Sequence, residues 1–287
     1  MRGIVLAGGT GSRLWPITKS VSKQLLPVYD KPMIYYPIST LMLAGIKEIL
    51  IICTPHDLEA FKTLLGDGSN LGLRFSYKVQ EHPNGLAEAL ILGEEFLQGE
   101  SCVLILGDNI FYGSGLGTDL ATSFPERGCH IFTYEVQNPS QYGVLELDRS
   151  NQIVSIKEKP VKPASNLAIT GLYYFDSSGV EIAKNVKPSP RGELEIISVI
   201  EEFQARNQLS FTKLNRGTAW LDTGNPNSLH DAATFIRVIE ERTGLKIACL
   251  EEISFNQGWL DKNKLTAILE KNPKNDYWNY VARVIQN

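Results

Sequence analysis

A glycine-rich loop followed by two cations is the part of this sequence best suited to chemistry. Residues 3–6 form an apolar run typical of a buried strand, and residues 8–11 supply three glycines. Glycines let backbone N–H groups approach an anion closely, and successive amides in such a loop form a nest for a phosphate group. Arg13 and Lys23 follow, where their charges can neutralise a polyphosphate. The arrangement predicts a nucleoside triphosphate site near the N-terminus.

Two common phosphate-binding motifs do not fit these residues. A dinucleotide fingerprint has the pattern G-x-G-x-x-G, but Leu14 stands where the third glycine belongs and Pro16 follows closely. A P-loop needs Gly-Lys followed by Ser or Thr, and that tripeptide does not occur in the chain. The loop is therefore interpreted as a nucleotide site of another class. A tight turn with a solvated Arg and Lys nearby is the structural alternative.

Composition narrows the class of protein. A chain of 287 residues can bury a substantial core as one large domain or two modest ones. The net charge of −4 argues against a general nucleic-acid-binding surface, so local cations must attract an anionic substrate. No apolar run is long enough for a membrane span and no signal peptide is evident, which predicts a cytoplasmic protein. The scattered cysteines and histidines lack metal-ligand spacing and are interpreted as packing or surface residues.

Strand and helix signals alternate through the first half of the chain. Strands are predicted at residues 3–6, 48–54, 74–80, 102–106 and 130–136, and helices at 32–44, 57–65 and 86–97. Such alternation favours an α/β fold with a doubly wound, mostly parallel, Rossmann-like sheet. Ligands of such sheets bind beyond the carboxyl ends of the strands. The glycine loop, Gln80 and Asp108 all follow strands, so we expect them to line one crevice.

The second half has a different character. A hairpin is predicted from strands at 144–147 and 153–156, followed by strands at 168–175 and 209–214 and a helix at 193–207. Helices are predicted at 227–241, 260–271 and 276–285. We interpret residues 1–224 as an α/β core with a β insert at about 140–215. Residues 225–287 are interpreted as a helical C-terminal appendage that packs on the core or on a neighbouring subunit.

Sequence blocks along almost the whole chain carry a resemblance. They begin with Gly8-Gly9-Thr10-Gly11-Ser12-Arg13 and Ser22-Lys23-Gln24-Leu25-Leu26-Pro27, and continue at residues 30–37, 106–113, 142–144, 157–160, 170–173, 191–195, 216–224 and 246–252. Their order and number resemble the sugar-phosphate nucleotidyltransferases, above all those that use glucose 1-phosphate and dTTP. The resemblance implies a nucleotidyltransferase core that forms dTDP-glucose and pyrophosphate by Mg²⁺-dependent in-line attack on the α-phosphate.

Two aspartates are candidates for holding the metal. Asp108 follows an apolar strand and a glycine, and Asp222 precedes Thr223 and Gly224. Two carboxylates together with phosphate oxygens and water suit octahedral Mg²⁺. The resemblance assigns both residues this role, whereas capping of an adjacent turn or helix is the alternative. It also implies catalytic roles for Arg13, Lys23 and Lys159.

The resemblance divides the remaining candidates into two subsites. Nucleotide binding is implied for Leu6, Gly8, Gly9, Thr10, Gly11, Arg13, Gln24, Gln80, Pro83, Gly85, Leu86, Asp108 and Asn109. Sugar-phosphate binding is implied for the β insert at about 140–215, through Gly143, Glu158, Lys159, Thr170, Gly171, Tyr173 and Arg191. Glu158 and Lys159 would point to opposite faces of a regular strand, so both can reach one ligand only if a turn intervenes, as Pro160 suggests. An exposed charged strand end is the alternative.

Two departures from the family pattern stand out. Ile197-Ser198 replaces the usual Thr-Asp, which puts hydrogen bonding from that turn in doubt, and Ser114 replaces a common histidine. The loop with Ser114 is linked in relatives to a second, regulatory nucleotide site, here implied for Tyr112, Gly113 and Arg216. The resemblance also implies a homotetramer built as a dimer of dimers, with no membrane or nucleic-acid partner.

Two rival functions stay open on sequence grounds. A pyrimidine pocket built from glutamines can accept uracil as well as thymine, so a UTP-dependent uridylyltransferase is the nearest rival. The other rival is a non-catalytic regulatory relative. Such proteins tend to lose the metal carboxylates or the phosphate cations, and this chain keeps both sets.

Overall fold

The computed structural model describes residues 1–286. The strands are β1 Arg2–Ala7, β2 Pro27–Val28, β3 Lys31–Pro32, β4 Glu48–Cys53, β5 Arg74–Val79, β6 Cys102–Leu106, β7 Asn109–Gly113, β8 Cys129–Glu135, β9 Gly143–Leu147, β10 Ile153–Glu158, β11 Leu167–Phe175, β12 Leu209–Lys213 and β13 Thr218–Asp222. The helices are α1 Tyr35–Leu43, α2 Leu58–Leu65, α3 Glu88–Leu92, α4 Glu94–Leu97, α5 Leu116–Ser123, α6 Gly179–Asn185, α7 Ile196–Ala205, α8 Pro226–Thr243, α9 Leu250–Asn256, α10 Lys262–Lys271 and α11 Asp276–Val284.

A nine-stranded mixed sheet carries the fold. Its order is β10-β9-β11-β6-β1-β4-β5, and β8 pairs with β11 and with β12. Strands β6, β1, β4 and β5 are parallel, as the alternation of strand and helix signals predicted. Strand β11 runs antiparallel to β6, β8 and β9, and β9 and β10 form the predicted hairpin. The fold class is therefore confirmed.

Hydrophobic side chains cover both faces of this sheet. Along β1, Val5 and Ala7 face a cluster that includes α1, α2 and α5, whereas Ile4 and Leu6 face a second cluster that includes α3, α6 and α7. The alternation follows from the two-residue period of a strand. Burial on both faces explains why the central strands appear in the sequence as continuous apolar runs.

A second, two-stranded ribbon was not predicted. Strands β7 and β13 pair antiparallel, with Asp222 opposite Asn109. The short strand β7 follows β6 after only Gly107 and Asp108, and its partner lies more than a hundred residues away in the chain. The ribbon matters for the site because it brings two distant aspartates to the same end of the fold.

Several predicted helices have different bounds. The helix predicted at 86–97 divides at Gly93, which packs so closely on β1 that a Cβ there would lie 2.8 Å from Ile4 Cδ1. The helix predicted at 32–44 begins at Tyr35, because Lys31 and Pro32 form β3. Helix α7 begins only at Ile196, since the backbone of Leu194 pairs with Asn84 and Ala87 instead.

The C-terminal helices pack on the core. Ala232 and Ile236 of α8 contact the cluster formed by Val28, Met33 and Ile110. A separate cluster joins α9, α10 and α11. The division of the chain at residues 224 and 225 stays a prediction. Within residues 1–286, no helix is long and apolar enough to cross a membrane.

A buried ion network joins the hairpin of β2 and β3 to α8. Lys31 Nζ donates to Glu240 Oε1 at 2.8 Å and also pairs with Asp30, and the Lys31 side chain is only 2% exposed. Lys246 pairs with Asp30 and with Glu240 Oε2, and the backbone N–H of Ile247 donates to Glu240 Oε1. Each buried charge of this network therefore has a partner of opposite sign.

Candidate active site

A cleft of about 660 Å³ opens beyond the carboxyl ends of β1, β5 and β6. Its lining includes the glycine loop after β1, Gln80 after β5 and Asp108 after β6, so the predicted crevice is confirmed. The predicted site residues in this lining are Leu6, Gly8, Gly9, Arg13, Lys23, Gln24, Gln80, Pro83, Gly85, Leu86, Asp108, Asn109, Gly143, Glu158, Lys159, Gly171, Tyr173, Arg191 and Asp222. One surface thus presents both cations predicted to hold the polyphosphate and both aspartates.

The glycine loop lines the cleft with Gly8 and Gly9. A Cβ on Gly8 would stand 2.5 Å from Gln80 Oε1, so only glycine leaves room for both groups. Gly9 has a φ of +93°, a conformation that residues with a Cβ rarely adopt. The carbonyl of Gly11 accepts a hydrogen bond from the Thr18 hydroxyl at 2.8 Å, outside the cleft lining. Thr10 lines a smaller neighbouring hollow with Lys19.

Asp108 directly precedes β7 and Asp222 ends β13, so the ribbon brings the two aspartates to the same end of the fold. The Thr223 backbone N–H and hydroxyl both donate to the Asp108 carbonyl, at 3.1 and 2.8 Å, which fixes the two strand ends together. Burial and then the negative charge of Asp108 raise the pKa of Asp222 to about 6. The effect of the Asp108 charge on the pKa of Asp222 shows that the two carboxylates are close in space, although they are far apart in the sequence.

Two cations surround this acidic pair. Lys23 Nζ pairs with Asp108 Oδ2, with both side chains largely buried. Burial alone would raise the pKa of Asp108, but the charge and the hydrogen bond of Lys23 hold it below its usual value. A Cβ on Gly224 would lie 3.0 Å from Arg13 Nη2 and 3.1 Å from Asp222 Oδ1, so the Arg13 guanidinium lies beside the second carboxylate.

The donor set fits a hard divalent cation that is held jointly with substrate. Within residues 1–286, no three His, Cys, Asp or Glu side chains come together as a metal cluster. The two carboxylates leave most octahedral positions to water and phosphate oxygens, which is how proteins usually hold Mg²⁺. Burial and then repulsion by Asp108 raise the pKa of Asp222, and a divalent cation between the carboxylates would relieve the repulsion. Asp108 and Asp222 are the residues that would hold it.

The end of the cleft that is predicted to hold the base presents two amides. Gln80 is 6% exposed, and its Nε2 donates to Glu88 Oε2 at 2.7 Å and weakly to the Gly85 carbonyl at 3.4 Å. Gln24 is 2% exposed, and its Oε1 accepts from the Ser22 hydroxyl at 2.6 Å. Gly85 has a φ of +111° and lies against the backbone of Leu194, so a side chain there would clash.

The opposite end gathers the charges predicted for the sugar phosphate. Strand β10 ends at Glu158, and Lys159 has a φ of +41°, which supplies the turn that lets both residues face the cleft. Lys159 Nζ lies 3.1 Å from Glu158 Oε1. Arg191 Nη2 lies 2.8 Å from Glu195 Oε1 and 3.6 Å from Glu158 Oε1. The departure Ile197 is also here: a Cβ on Gly143 would stand 2.7 Å from Ile197 Cδ1, so this wall is apolar.

Some predicted residues do not line the cleft with their side chains. Thr170 is fully buried and its hydroxyl donates to the Phe132 carbonyl at 3.0 Å, which corrects the prediction that it lines the sugar pocket. The Asn109 amide donates to Asp108 Oδ1 and accepts from the Gly171 N–H and from Trp220 Nε1. That amide therefore supports the carboxylate of Asp108, which is predicted to bind the metal.

The predicted regulatory residues lie outside the cleft. Tyr112 and Gly113 belong to β7, and Tyr112 packs edge-on against Phe235 of α8 with ring centroids 5.9 Å apart. Arg216 is exposed in the turn before β13. Gly113 pairs with Thr218 of β13, and Arg216 lies in the turn that precedes this strand.

Sequence reasoning missed several residues of the site. Tyr142 and Trp220 line the cleft with ring centroids 5.1 Å apart, and Trp220 also donates to Asn109. Glu195 holds Arg191, and Glu88 holds Gln80. Tyr142, Trp220 and Glu195 stand inside the blocks that carried the resemblance, which was the available signal. Glu88 offered no signal, because its role depends on a contact across a turn.

Comparisons with known proteins agree with this geometry. A model of the family described as "Nucleotidyl transferase" matches residues 2–238. The chain is 51% identical to a glucose-1-phosphate thymidylyltransferase of Neisseria meningitidis over 287 residues, which cover 100% of both chains. It is 50% identical to a glucose-1-phosphate thymidylyltransferase of Mycobacterium tuberculosis, covering 100% of this chain and 99% of the relative.

Solved structures give the same result. A Bacillus anthracis protein described as a "Putative Glucose-1-Phosphate Thymidylyltransferase", solved with sucrose, superposes with a TM-score of 0.77 at 38% identity, covering 83% of this chain and 95% of that one. A UDP-glucose pyrophosphorylase with UDP-glucose superposes with a TM-score of 0.73 at 24% identity, covering 83% and 98%, and shares the fold. The full-length identities and the cleft together show that this chain belongs to the nucleotidyl transferase family and, within it, to the glucose-1-phosphate thymidylyltransferases.

Proposed function

We propose that this protein forms dTDP-glucose and pyrophosphate from dTTP and glucose 1-phosphate. The observation that carries the proposal is one cleft with a cationic glycine loop, two adjacent aspartates and a separate cationic subsite. Full-length identity to glucose-1-phosphate thymidylyltransferases supports the same reaction. A phosphate oxygen of glucose 1-phosphate attacks the α-phosphorus of dTTP. A bond to that phosphorus forms while the bond to the bridging oxygen breaks, and pyrophosphate leaves.

The residues of the cleft divide the work of positioning. The loop amides and Arg13 hold the β- and γ-phosphates that become pyrophosphate, because arginine suits bidentate phosphate contact. Lys23 exchanges its contact with Asp108 for a phosphate oxygen when the nucleotide binds. At the other end, Lys159 and Arg191 hold the phosphate of the sugar, and Glu158 accepts hydrogen bonds from sugar hydroxyls. Holding two anions in line removes much of the entropic barrier.

Asp108 and Asp222 would hold Mg²⁺ in this proposal. When bound, the ion supplies positive charge that offsets repulsion between the two phosphate groups and the charge that develops at the leaving oxygen. Asn109 keeps the Asp108 carboxylate in place through a 3.0 Å hydrogen bond. Thr223 fixes the strand end from the other side through its contacts with the Asp108 carbonyl.

Pyrophosphate release by purified protein tests the function. We expect turnover with dTTP and glucose 1-phosphate in the presence of Mg²⁺, and little with purine nucleotides. Absence of turnover with both dTTP and UTP would refute the proposal. Turnover with UTP far above that with dTTP would instead favour the uridylyltransferase. A rise in the melting midpoint on adding dTTP and Mg²⁺ separates a binding-competent enzyme from misfolded protein.

The homotetramer, the regulatory site at Tyr112, Gly113 and Arg216, and the cytoplasmic location stay predictions of the sequence. Light scattering after size exclusion measures the mass of the assembly. Inhibition by a dTDP-sugar, tested on the parent and on Arg216→Ala, measures whether the outer ribbon binds a regulatory nucleotide. Equal inhibition of both proteins would remove Arg216 from that site.

A further inference from the structure

Glu88 holds two amides at the base end of the cleft. Its Oε2 accepts from Gln80 Nε2 at 2.7 Å, and its Oε1 accepts from Asn84 Nδ2 at 2.8 Å. Glu88 opens α3, directly after the turn that carries Pro83 and Gly85. Among the described residues no cation pairs with this carboxylate. The Glu88 carboxylate is therefore held by these two amides and not by an ion pair.

The carboxylate decides which way the Gln80 amide faces. An ionised carboxylate only accepts hydrogen bonds, so Gln80 must present its NH₂ group to Glu88 and turn its Oε1 away. A reversed amide would bring two acceptor oxygens together in a site where Gln80 is only 6% exposed. Oε1 then faces Gly8, whose missing Cβ would lie 2.5 Å from it. No donor within residues 1–286 bonds to this oxygen, so an acceptor faces the cleft.

Gln24 offers the complementary group. Its Oε1 is occupied by the Ser22 hydroxyl at 2.6 Å, which leaves Nε2 as the group turned toward Gly8, whose carbonyl it approaches at only 3.4 Å. The cleft thus presents one acceptor from Gln80 and one donor from Gln24 on either side of Gly8. Thymine and uracil carry a C=O beside an N3–H, which complements this pair. Cytosine carries an unprotonated N3 at the same position, which would meet the Gln80 oxygen.

We propose that Glu88 is a positioning residue that fixes Gln80 as a hydrogen-bond acceptor and thereby selects pyrimidines with an N3–H over cytosine. The inference rests on the proposed function and deepens it, since it names the residue that sets the base preference of that site. Glu88 touches neither the base nor the phosphates. It acts by excluding one orientation of an amide whose two orientations are otherwise similar in shape.

The test compares dUTP with dCTP, which share the sugar and the triphosphate and differ at the base edge. Glu88→Gln keeps the size of the side chain but can donate as well as accept, so it no longer enforces one orientation of Gln80. We expect the ratio of kcat/KM for dUTP over dCTP to fall at least about tenfold in this variant. The ratio for dTTP over dUTP should stay unchanged, because both bases carry N3–H. A merely structural role would lower all three values together.

Matched variants keep the test decisive. Glu81→Gln removes an exposed charge beside Gln80 and controls for the altered field near an anionic substrate. Glu88→Asp keeps the charge but shortens the reach to Gln80, and should show the same loss of selectivity if Glu88→Gln fails to fold. Calorimetric binding of dUMP and dCMP to the same proteins gives the preference without turnover.

The outcomes separate the two proposals. A parental dUTP to dCTP ratio retained by both Glu88 variants overturns the role of Glu88 while leaving the thymidylyltransferase intact. Equal use of dUTP and dCTP by the parent also overturns it. Absence of turnover with any pyrimidine nucleotide refutes the proposed function instead, and the monophosphate binding measurement then still reports on Glu88.

Discussion

Replacing Asp222 by Asn should stabilise the nucleotide-free protein while it removes activity. Asn keeps the shape of the side chain and an oxygen for the Gly224 N–H, which donates to Asp222 Oδ1 at 3.1 Å. It removes a negative charge that burial and the neighbouring Asp108 disfavour, as the rise of its pKa from 3.8 to about 6 indicates. Each pKa unit corresponds to about 1.4 kcal/mol, so the ionised carboxylate costs the fold up to about 3 kcal/mol at pH 7. Partial solvent contact reduces this to about 1–3 kcal/mol.

The sign follows from the protons bound in each state. Below about pH 4, Asp222 is protonated in the folded and the unfolded chain, so Asn brings no gain. Between pH 4 and 6 the unfolded carboxylate ionises first, and the parent loses stability relative to the variant. Above pH 6 the full difference in unfolding free energy between the variant and the parent applies. For a chain of this length, 1–3 kcal/mol corresponds to a rise in melting midpoint of roughly 2–6 °C.

Thermal melting from pH 4 to 7.5 in EDTA measures this difference, and pyrophosphate release measures activity. Asp108→Asn is the matched contrast: Asp108 pairs with Lys23, so the same substitution there should destabilise the fold by about 3 kcal/mol. Both variants should lose at least about 100-fold in turnover. An Asp222→Asn protein that melts at or below the parent at pH 7, or with the same offset at pH 4 and pH 7, would refute the electrostatic reasoning.

Three further substitutions test other parts of the molecule. Glu240→Leu leaves Asp30 as the one carboxylate for both Lys31 and Lys246 in the network and should lower the free energy of unfolding by about 3–5 kcal/mol in urea titrations, whereas the exposed Glu241→Gln should change it little. Burial lowers the pKa of His130 from 6.5 to about 4, so the stability that the neutral imidazole contributes is complete above pH 6.5 and is lost as pH falls toward 4. His130→Gln should therefore reduce the loss of unfolding free energy between pH 6.5 and 4 by up to about 3 kcal/mol in denaturant titrations. An unchanged dependence of the unfolding free energy on pH would contradict this. Lys159→Ala should lower kcat/KM for glucose 1-phosphate at least about 100-fold in steady-state assays while the protein still binds dTTP in calorimetry; parental kcat/KM would exclude the predicted contact.

The central sheet was predictable because its strands are buried on both faces. The apolar run at residues 102–106 matches β6 Cys102–Leu106 in full, and the cleft at the strand ends followed from the topology. The ribbon of β7 and β13 was not predictable. Strand β7 Asn109–Gly113 contains Asn and Gly, which disfavour strands, and its partner lies far along the chain.

The directions of individual side chains were the second feature that the sequence predicted only in part. The Pro160 signal predicted the turn after Glu158, and the left-handed backbone of Lys159 confirms it. Thr170 was misplaced because the resemblance implied it together with Gly171 and Tyr173, whereas alternation along β11 turns Gly171 and Tyr173 to the cleft and Thr170 to the opposite face. Glu88 was missed because a hydrogen bond between two side chains leaves no periodic trace in the sequence.

The buried network of Lys31, Asp30, Glu240 and Lys246 restricts how the chain can be recombined with its relatives. It holds positive and negative charges contributed by opposite ends of the polypeptide. A chimera that exchanges only the C-terminal helices takes Glu240 and Lys246 from one parent. The residues that pair with them, Asp30 and Lys31 in this chain, must then be supplied by the other parent. Designs that exchange those helices should therefore transfer the hairpin of β2 and β3 with them.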